Sequence, residues 1–348
     1  MSPPVPSAAD AIRRKALALG FDRVGFCDAR LPPEAAHLDR WLAAGMHGSM
    51  DWMLKDRERR LDPQRLLKGA RSFVVVALSH ARAGSPTPPG SGRGAPAGRI
   101  ARYAQGEDYH LVIGRRLAEL ERFIEETSPK DRALAYVDTG AILERMWAAR
   151  AGIGWIGKNS LVLNRAMGSF FLLGVVITTL ELPPDPPATD QCGSCDACIS
   201  ACPTGAIVAD RFVDSRRCIS YHTIELRDRI PAEHRETIGT RLIGCDDCQD
   251  ACPWNPPQPL PATLPLLELL TITRDEYVDR FRGSAIKRAT HDGLRRNAAL
   301  ALGNLGSTAP GPAADLLEAI AADPAESEIL REQADWSTRR IRRQDPIK

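Results

Sequence analysis

The 348-residue sequence lacks a membrane span. Its longest apolar run, Phe170 to Leu180, is about half of the ~20 residues that a helical crossing needs. It also lacks an export signal: Met1-Ser-Pro-Pro-Val-Pro-Ser7 has no basic segment ahead of an apolar one, and there is no twin-arginine leader. It lacks a dominant charge. Lys and Arg number 46 against 44 Asp and Glu, a formal net charge of +2, so no global field marks a nucleic-acid binder, although a local basic patch remains open. These absences predict a cytoplasmic chain, where thiols stay reduced and disulfides are not expected. At 43% hydrophobic and 26% charged residues the composition is that of a globular protein, and the length suits two or three domains.

What the sequence does have is cysteine in one place. Eight of its nine cysteines fall between Cys192 and Pro253. The run Cys192-Gly-Ser-Cys195-Asp-Ala-Cys198-Ile-Ser-Ala-Cys202-Pro203 has the C-x2-C-x2-C-x3-C-P spacing of bacterial ferredoxins, in which the fourth cysteine ligates the other cluster. A second run, Cys245-Asp-Asp-Cys248-Gln-Asp-Ala-Cys252-Pro253, lacks one cysteine, and the isolated Cys218 supplies it. Pseudo-symmetry then gives two sets: Cys192, Cys195, Cys198 and Cys252 for one [4Fe–4S] cluster, Cys202, Cys218, Cys245 and Cys248 for the other. Zinc also takes four cysteines, but a zinc ribbon joins two separated pairs and does not need three cysteines in seven residues. A zinc-dependent nucleic-acid-binding module would be colourless. Cys27 stands apart in an apolar strand and reads as a buried small hydrophobe.

Around this stretch the pattern predicts three units: an α/β domain over 1–182, a ferredoxin-like domain over 183–260 and an α-helical part over 266–348 that looks HEAT-like. In the first, a helix over 9–20 precedes a strand at Phe21–Cys27, a helical charged stretch covers 34–70, and Ser72–Leu78 is a buried strand. A Gly/Pro/Ser loop is expected over 82–98. A helix near 108–127, a strand at Arg132–Val137, a helix at 140–151 and strands around 160–179 follow.

Two motifs are tempting and fail. Gly152-Ile-Gly-Trp-Ile-Gly157 matches G-x-G-x-x-G but follows a helix, whereas the dinucleotide fingerprint leaves a strand. Asp108-Tyr-His110-Leu-Val-Ile-Gly114 is one residue too long for the D-x-H-x-x-G loop that ligates cobalt, so His110 reads as an ordinary, partly buried histidine. Asp138, in Tyr136-Val-Asp138-Thr-Gly140, has two readings: an N-cap for the next helix, or a carboxyl at a strand's carboxyl end where α/β domains meet ligands.

The cysteine runs with Cys252-Pro-Trp-Asn255, together with Val137-Asp138-Thr-Gly140, Ala151-Gly-Ile-Gly-Trp-Ile-Gly-Lys-Asn159 and Cys218-Ile-Ser-Tyr-His-Thr-Ile-Glu225, resemble the epoxyqueuosine reductase family. The resemblance runs from near the N-terminus to Asn255 at least. It implies a cobalamin-binding α/β domain like that of reductive dehalogenases, base-off cobalamin, and the same cysteine pairing. The implied reaction reduces the epoxide of epoxyqueuosine to queuosine at the tRNA wobble position, with Asp138 as proton donor if burial raises its pKa. By the same analogy Arg60, Tyr103, Arg145, Trp155 and Lys158 line the corrin or the substrate, and Asp246, beside Cys245, approaches the corrin edge. Arg282, Lys287, Arg288, Arg295 and Arg296 form a basic group for tRNA phosphates, with Arg339, Arg340, Arg342 and Arg343 as a second. The expected partners are tRNA carrying epoxyqueuosine in its anticodon loop and an external low-potential electron donor, with no membrane contact and a monomeric chain. The rival readings are a reductive dehalogenase, which usually carries an export leader, and a ferredoxin-type electron carrier, which needs neither cobalamin nor the large first domain.

Overall fold

The expected N-terminal helix is α1 (Ala8–Ala18), capped by Ser7, whose hydroxyl accepts from the Asp10 amide. The computed structural model describes residues 7–30, 35–80 and 96–342. After β1 (Arg23–Asp28), the charged stretch folds as α2 (Ala35–Ala43) and three short helices, α3 (Trp52–Lys55), α4 (Arg57–Leu61) and α5 (Pro63–Leu66). β2 (Ser72–Ser79) is buried on both faces, which is why it reads as an unbroken apolar run. Of the loop expected over 82–98, residues 82–95 lie outside the described residues, and its end already belongs to β3 (Ala97–Ile100).

Next come α6 (Tyr109–Thr127), β4 (Ala133–Tyr136), α7 (Glu144–Arg150), the hairpin of β5 (Trp155–Ile156) and β6 (Val162–Leu163), and β7 (Phe171–Thr178). The main sheet has the order β1-β2-β7-β4 and is antiparallel throughout. On one face Val74, Val76, Leu78 and Val176 pack with Ile12, Ala16, Ile113, Leu117 and Ile124 of α1 and α6. On the other, Phe73, Val75, Ala77 and Val175 pack with Met146, Trp147 and Ala148 of α7. Helices and strands alternate as expected, but the parallel-sheet rule that favoured Asp138 as a ligand-meeting residue does not apply here. Other contacts position it.

The cysteine region contributes α8 (Ala197–Ser200), a small hairpin of β8 (Ile207–Ala209) and β9 (Phe212–Val213), α9 (Ala232–Ile238), β10 (Arg241–Ile243) and α10 (Asp247–Asp250). A second sheet, β10-β3-β11, joins it to the first segment and to β11 (Thr263–Pro265): β10 runs parallel to β3 and β11 antiparallel. The helical tail is α11 (Leu266–Thr271), α12 (Arg274–Arg280), α13 (His291–Leu305), α14 (Pro312–Ala322) and α15 (Glu328–Arg342). One apolar core runs from Ile12 through Ile100, Leu242 and Leu264 to Leu302 and Ala334. The segments expected as separate units thus share side-chain packing.

Candidate active site and cysteine cavities

Asp138 follows β4, in a turn where Thr139 N–H donates to the Val137 carbonyl (2.6 Å) and Asp138 itself has φ +53°. That left-handed conformation is strained for a non-glycine residue. The N-cap reading fails: α7 begins only at Glu144, and the residue before it is Leu143. The Asp138 carboxyl instead meets the start of α6. Tyr109 O–H donates to Oδ2 at 2.6 Å, and His110 Nε2 lies 3.1 Å from the same oxygen. His110 Nδ1 is 2.7 Å from Asp108, the N-cap of α6, so the imidazole bridges two carboxylates. His110 is therefore not an ordinary partly buried histidine but a member of the site. The sequence signal was present in Asp108-Tyr-His110, an acid two residues ahead of a histidine at a helix start.

The charges follow from this geometry. Close protein packing disfavours a charge on Asp138, but the hydrogen bonds from His110 and Tyr109, with the His110 and Arg288 charges behind them, outweigh it. The carboxyl is held below its ordinary range. Burial works against protonated His110, yet bonds to Asp138 and Asp108 raise its pKa above the usual value. The expectation that burial would raise Asp138 is thus overturned. The arrangement favours the proton on the histidine over the carboxyl, and 61% of the Asp138 side chain is exposed.

Beneath the Asp138 turn, Arg60 is buried and its Nη1 donates to the Gly140 carbonyl at 3.3 Å. Its Nε and Glu144 Oε1 are both buried without a hydrogen-bond partner. Burial, reinforced by the Asp138 charge, pushes Glu144 up to about 7. No motif pointed to Glu144. Arg145 is exposed beside it and donates to the Ser160 carbonyl at 2.6 Å.

Tyr103 leads from this site toward the cysteines. Its ring meets Tyr109 edge-on, 6.0 Å between centroids, and a Cβ on Gly244 would lie 3.4 Å from it. Gly244 immediately precedes Cys245. Asp246 is buried and accepts from both the Arg102 amide (2.9 Å) and Arg102 Nη1 (3.0 Å), so it clamps the second cysteine run to the end of β3. Burial raises its pKa against those bonds.

All nine cysteines are free thiols. Cys192, Cys195, Cys198 and Cys252 line one small, partly open cavity with Lys158, Asn159, Leu163, Pro253 and Trp254. Cys195 is exposed at its rim. Burial raises Cys248 well above a normal thiol, and Cys218 and Cys245 are the first charges to add to that effect. Cys218 is in turn raised by burial and, among charges, by Cys202. The first expected set thus lines one cavity, while Cys248 feels Cys218, Cys245 and Cys202 as well as Cys198 of the first set. Among the described residues no three His, Cys, Asp or Glu converge tightly enough for a single metal ion. Four thiols spread around a cavity suit a multinuclear cluster better than one tetrahedral zinc. Cys27 is buried against Trp147 with its thiol pushed up to about 12, an inert core position.

Trp155 and Lys158 belong to this cavity and not to the Asp138 pocket. Trp155 is 4% exposed, its Nε1–H donates to Cys192 Sγ at 3.4 Å, and its ring meets Trp254 edge-on. Lys158 Nζ pairs with Asp210 at 3.5 Å. The glycines around Trp155 serve the hairpin: a Cβ on Gly154 would sit 2.1 Å from the Leu163 carbonyl oxygen, so no side chain fits. They do not make a dinucleotide loop.

The basic group divides. Arg282, Lys287 and Arg288 are exposed. Arg295 is held by Glu326 through two bonds and by the Leu270 carbonyl. Arg296 is 2% exposed and donates to the carbonyls of His222, Leu226 and Asp228, satisfying a π-helical turn at Tyr221–Glu225. Neither reaches an external phosphate, and both are removed from the proposed tRNA contacts. In the second group Arg339, Arg340 and Arg342 are paired with Asp335, Glu236 and Glu318, while Arg343 lies outside the described residues.

Comparison with known proteins agrees with this geometry. Residues 191–255 match the family model described as a 4Fe-4S double cluster binding domain, and residues 60–139 match the one described as epoxyqueuosine reductase QueG, DUF1730. The epoxyqueuosine reductase of Pseudomonas aeruginosa is 40% identical, covering 98% of this chain and 96% of its own length. That of Escherichia coli K12 is 39% identical over 94% of this chain and 88% of its own. A crystal structure of epoxyqueuosine reductase with an epoxyqueuosine-modified tRNA-Tyr stem loop superposes with TM-score 0.84 at 32% identity, covering 95% of this chain and 89% of that one. The Bacillus subtilis enzyme, solved with its catalytic aspartate loop swung out of the active site, gives 0.82 at 31% identity, with the same two coverages. With cysteine cavities, an Asp–Tyr–His site and relatives of this extent in agreement, the chain belongs to the epoxyqueuosine reductase family of oxidoreductases.

Proposed function

We propose that this chain reduces the epoxide of epoxyqueuosine at the wobble position of tRNA to the alkene of queuosine. Two electrons and two protons are consumed, and the epoxide oxygen leaves as water. The supporting observation is the contact path from Cys245 through Gly244, Tyr103 and Tyr109 to Asp138, which sets a hydrogen-bonded acid beside the second cysteine set. Cys192, Cys195, Cys198 and Cys252 hold one [4Fe–4S] cluster; Cys202, Cys218, Cys245 and Cys248 hold the other. An external low-potential donor supplies electrons at the first, where Cys195 is exposed, and the second faces the substrate.

Cobalamin is the remaining cofactor, and the residues fit it. Arg60 Nε and Glu144 Oε1 are a buried donor and acceptor without partners, as peripheral corrin amides would require. Both His110 nitrogens are committed to carboxylates, so His110 would serve the proton and not the cofactor. Bound cobalamin supplies a strongly nucleophilic, two-electron reductant. Arg60 steadies the Asp138 turn through Gly140, and Tyr103 walls the site toward the cysteines. Asp138 and His110 act as a dyad: the histidine stores the proton, and the carboxyl presents it to the departing oxygen. The turn's left-handed strain suits a loop that moves, as the catalytic loop of the Bacillus subtilis relative does. The chain works as a cytoplasmic monomer, and its helical tail is read as a HEAT-like unit on the RNA side. Among the described residues no helix is long and apolar enough to cross a membrane.

Anaerobic reconstitution with iron, sulfide and cobalamin, followed by assay on an anticodon stem–loop carrying epoxyqueuosine, tests the proposal. It predicts about eight irons per chain and conversion to queuosine that requires cobalamin. Fully metallated protein that leaves the epoxide intact with every low-potential donor overturns it.

A further inference from the structure

Arg288 was expected to contact phosphate, but its surroundings suit a different role. Glu225 takes its Nε and Nη2 in a bidentate pair at 2.9 and 3.0 Å, which neutralises the guanidinium and fixes its plane. The indole of Trp52 backs it, with Cζ 5.4 Å from the ring centroid. Arg227 Nη2 donates to the Arg288 carbonyl at 2.6 Å, holding the backbone as well. These partners come from α3, from the turn after Cys218 and from the 3₁₀ turn Ala285–Ala289, so the arrangement is tertiary. Even so, 51% of the Arg288 side chain and 37% of Trp52 are exposed. A neutralised cation is a poor phosphate ligand. A flat guanidinium held on edge, with an aromatic ring behind it, offers solvent a planar face. That face lies near the reaction centre: its turn packs against the Arg102–Ala104 turn, whose Tyr103 meets Tyr109, the donor to Asp138.

We propose that Arg288, clamped by Glu225 and backed by Trp52, is a stacking platform for a nucleobase of the anticodon loop flanking the modified base. The proposal rests on the reading that tRNA is the substrate. RNA loops are read by splaying bases onto aromatic and guanidinium planes, and a base delivered to Asp138 must leave its stack, exposing its neighbour. The platform takes up that neighbour and holds the loop open.

Equilibrium binding of an anticodon stem–loop carrying epoxyqueuosine, measured over a range of salt, separates stacking from phosphate contact. The variants are Arg288→Lys, Arg288→Ala and Trp52→Ala, with iron content as the folding control and Trp52→Phe as the conservative partner. Arg288→Lys keeps the charge and loses the plane, so it should weaken binding as much as Arg288→Ala, roughly 5- to 150-fold, with the salt slope unchanged. Trp52→Ala should weaken it in the same direction, and Trp52→Phe should bind within about twofold of wild type. Removing bases from the loop one at a time should reveal a position whose loss costs wild type affinity and costs Arg288→Lys nothing. Wild-type affinity in Arg288→Lys, with a salt slope lower by about one in Arg288→Ala, overturns the platform in favour of a phosphate contact. Failure of the wild-type protein to bind any stem–loop overturns the tRNA reading itself, and the platform with it.

Discussion

The cavity around Cys192 and the site around Asp138 are built differently. The first is lined by Leu163, Pro253 and Trp254 together with Lys158 and Asn159, and only the Trp155 indole N–H donates to one of its thiols. The second is a chain of titratable groups, Asp108, His110, Asp138 and Tyr109, with Arg60 and Glu144 beneath and Arg288 beside it. Electron transfer favours rigid, dry surroundings in which little reorients when the charge changes. Proton delivery needs hydrogen-bonded groups of shifted pKa and an opening to the substrate. In the proposed reaction the chain keeps these tasks apart, with Tyr103 between them.

If that separation is real, each half can be damaged alone. The largest effect should come from Cys248→Ser: turnover disappears and iron falls from about eight toward four per chain, read by iron analysis. Asp138→Asn should keep full iron content and normal cluster reduction while turnover falls roughly 10²- to 10⁴-fold, read by single-turnover assay. His110→Gln should cost less and change the pH profile. Wild-type turnover should fall as pH rises through a His110 pKa above the ordinary ~6.5, and the variant should lack that limb. The sign for stability is the same: the protonated histidine between two carboxylates stabilises fully below the ordinary value, and that contribution is lost as pH rises through the raised one.

Two smaller effects sharpen the contrast. An N–H donor to a cluster thiolate favours the reduced, more negative state, so Trp155→Phe should lower the midpoint potential of one cluster and leave the other unmoved, read by EPR titration. Glu144 is held near 7, so the folded state binds its proton more tightly and stability falls as pH rises from about 4.5 to 7. Glu144→Gln should remove that decline, worth about 3 kcal/mol in denaturant titrations at pH 8.

How much of this could be read from the chain depended on how local each feature is. The double-cluster domain was legible because cluster ligands sit at short, fixed spacings, and β2 because both its faces are buried. The antiparallel order of the main sheet was not legible, since strand direction depends on long-range pairing such as Phe73 opposite Cys27 and Ile177. The Asp138 site joins residues 28 apart in sequence for its histidine contact and 29 for its tyrosine contact. His110 and Tyr109 therefore passed as helix-start residues. Arg295 and Arg296 misled for the converse reason: adjacent arginines look like a surface patch, and only the carbonyls of the π-helical turn and the Glu326 carboxylate explain why they face inward.

The most direct measurement mixes Asp138→Asn, loaded with clusters and cobalamin and reduced beforehand, with the epoxyqueuosine stem–loop in a single turnover. Cluster absorbance should show the wild-type degree of reduction before mixing, and no queuosine should form on the wild-type timescale. Queuosine produced at the wild-type rate would show that the proton does not come through Asp138, and the division between the two regions would be wrong.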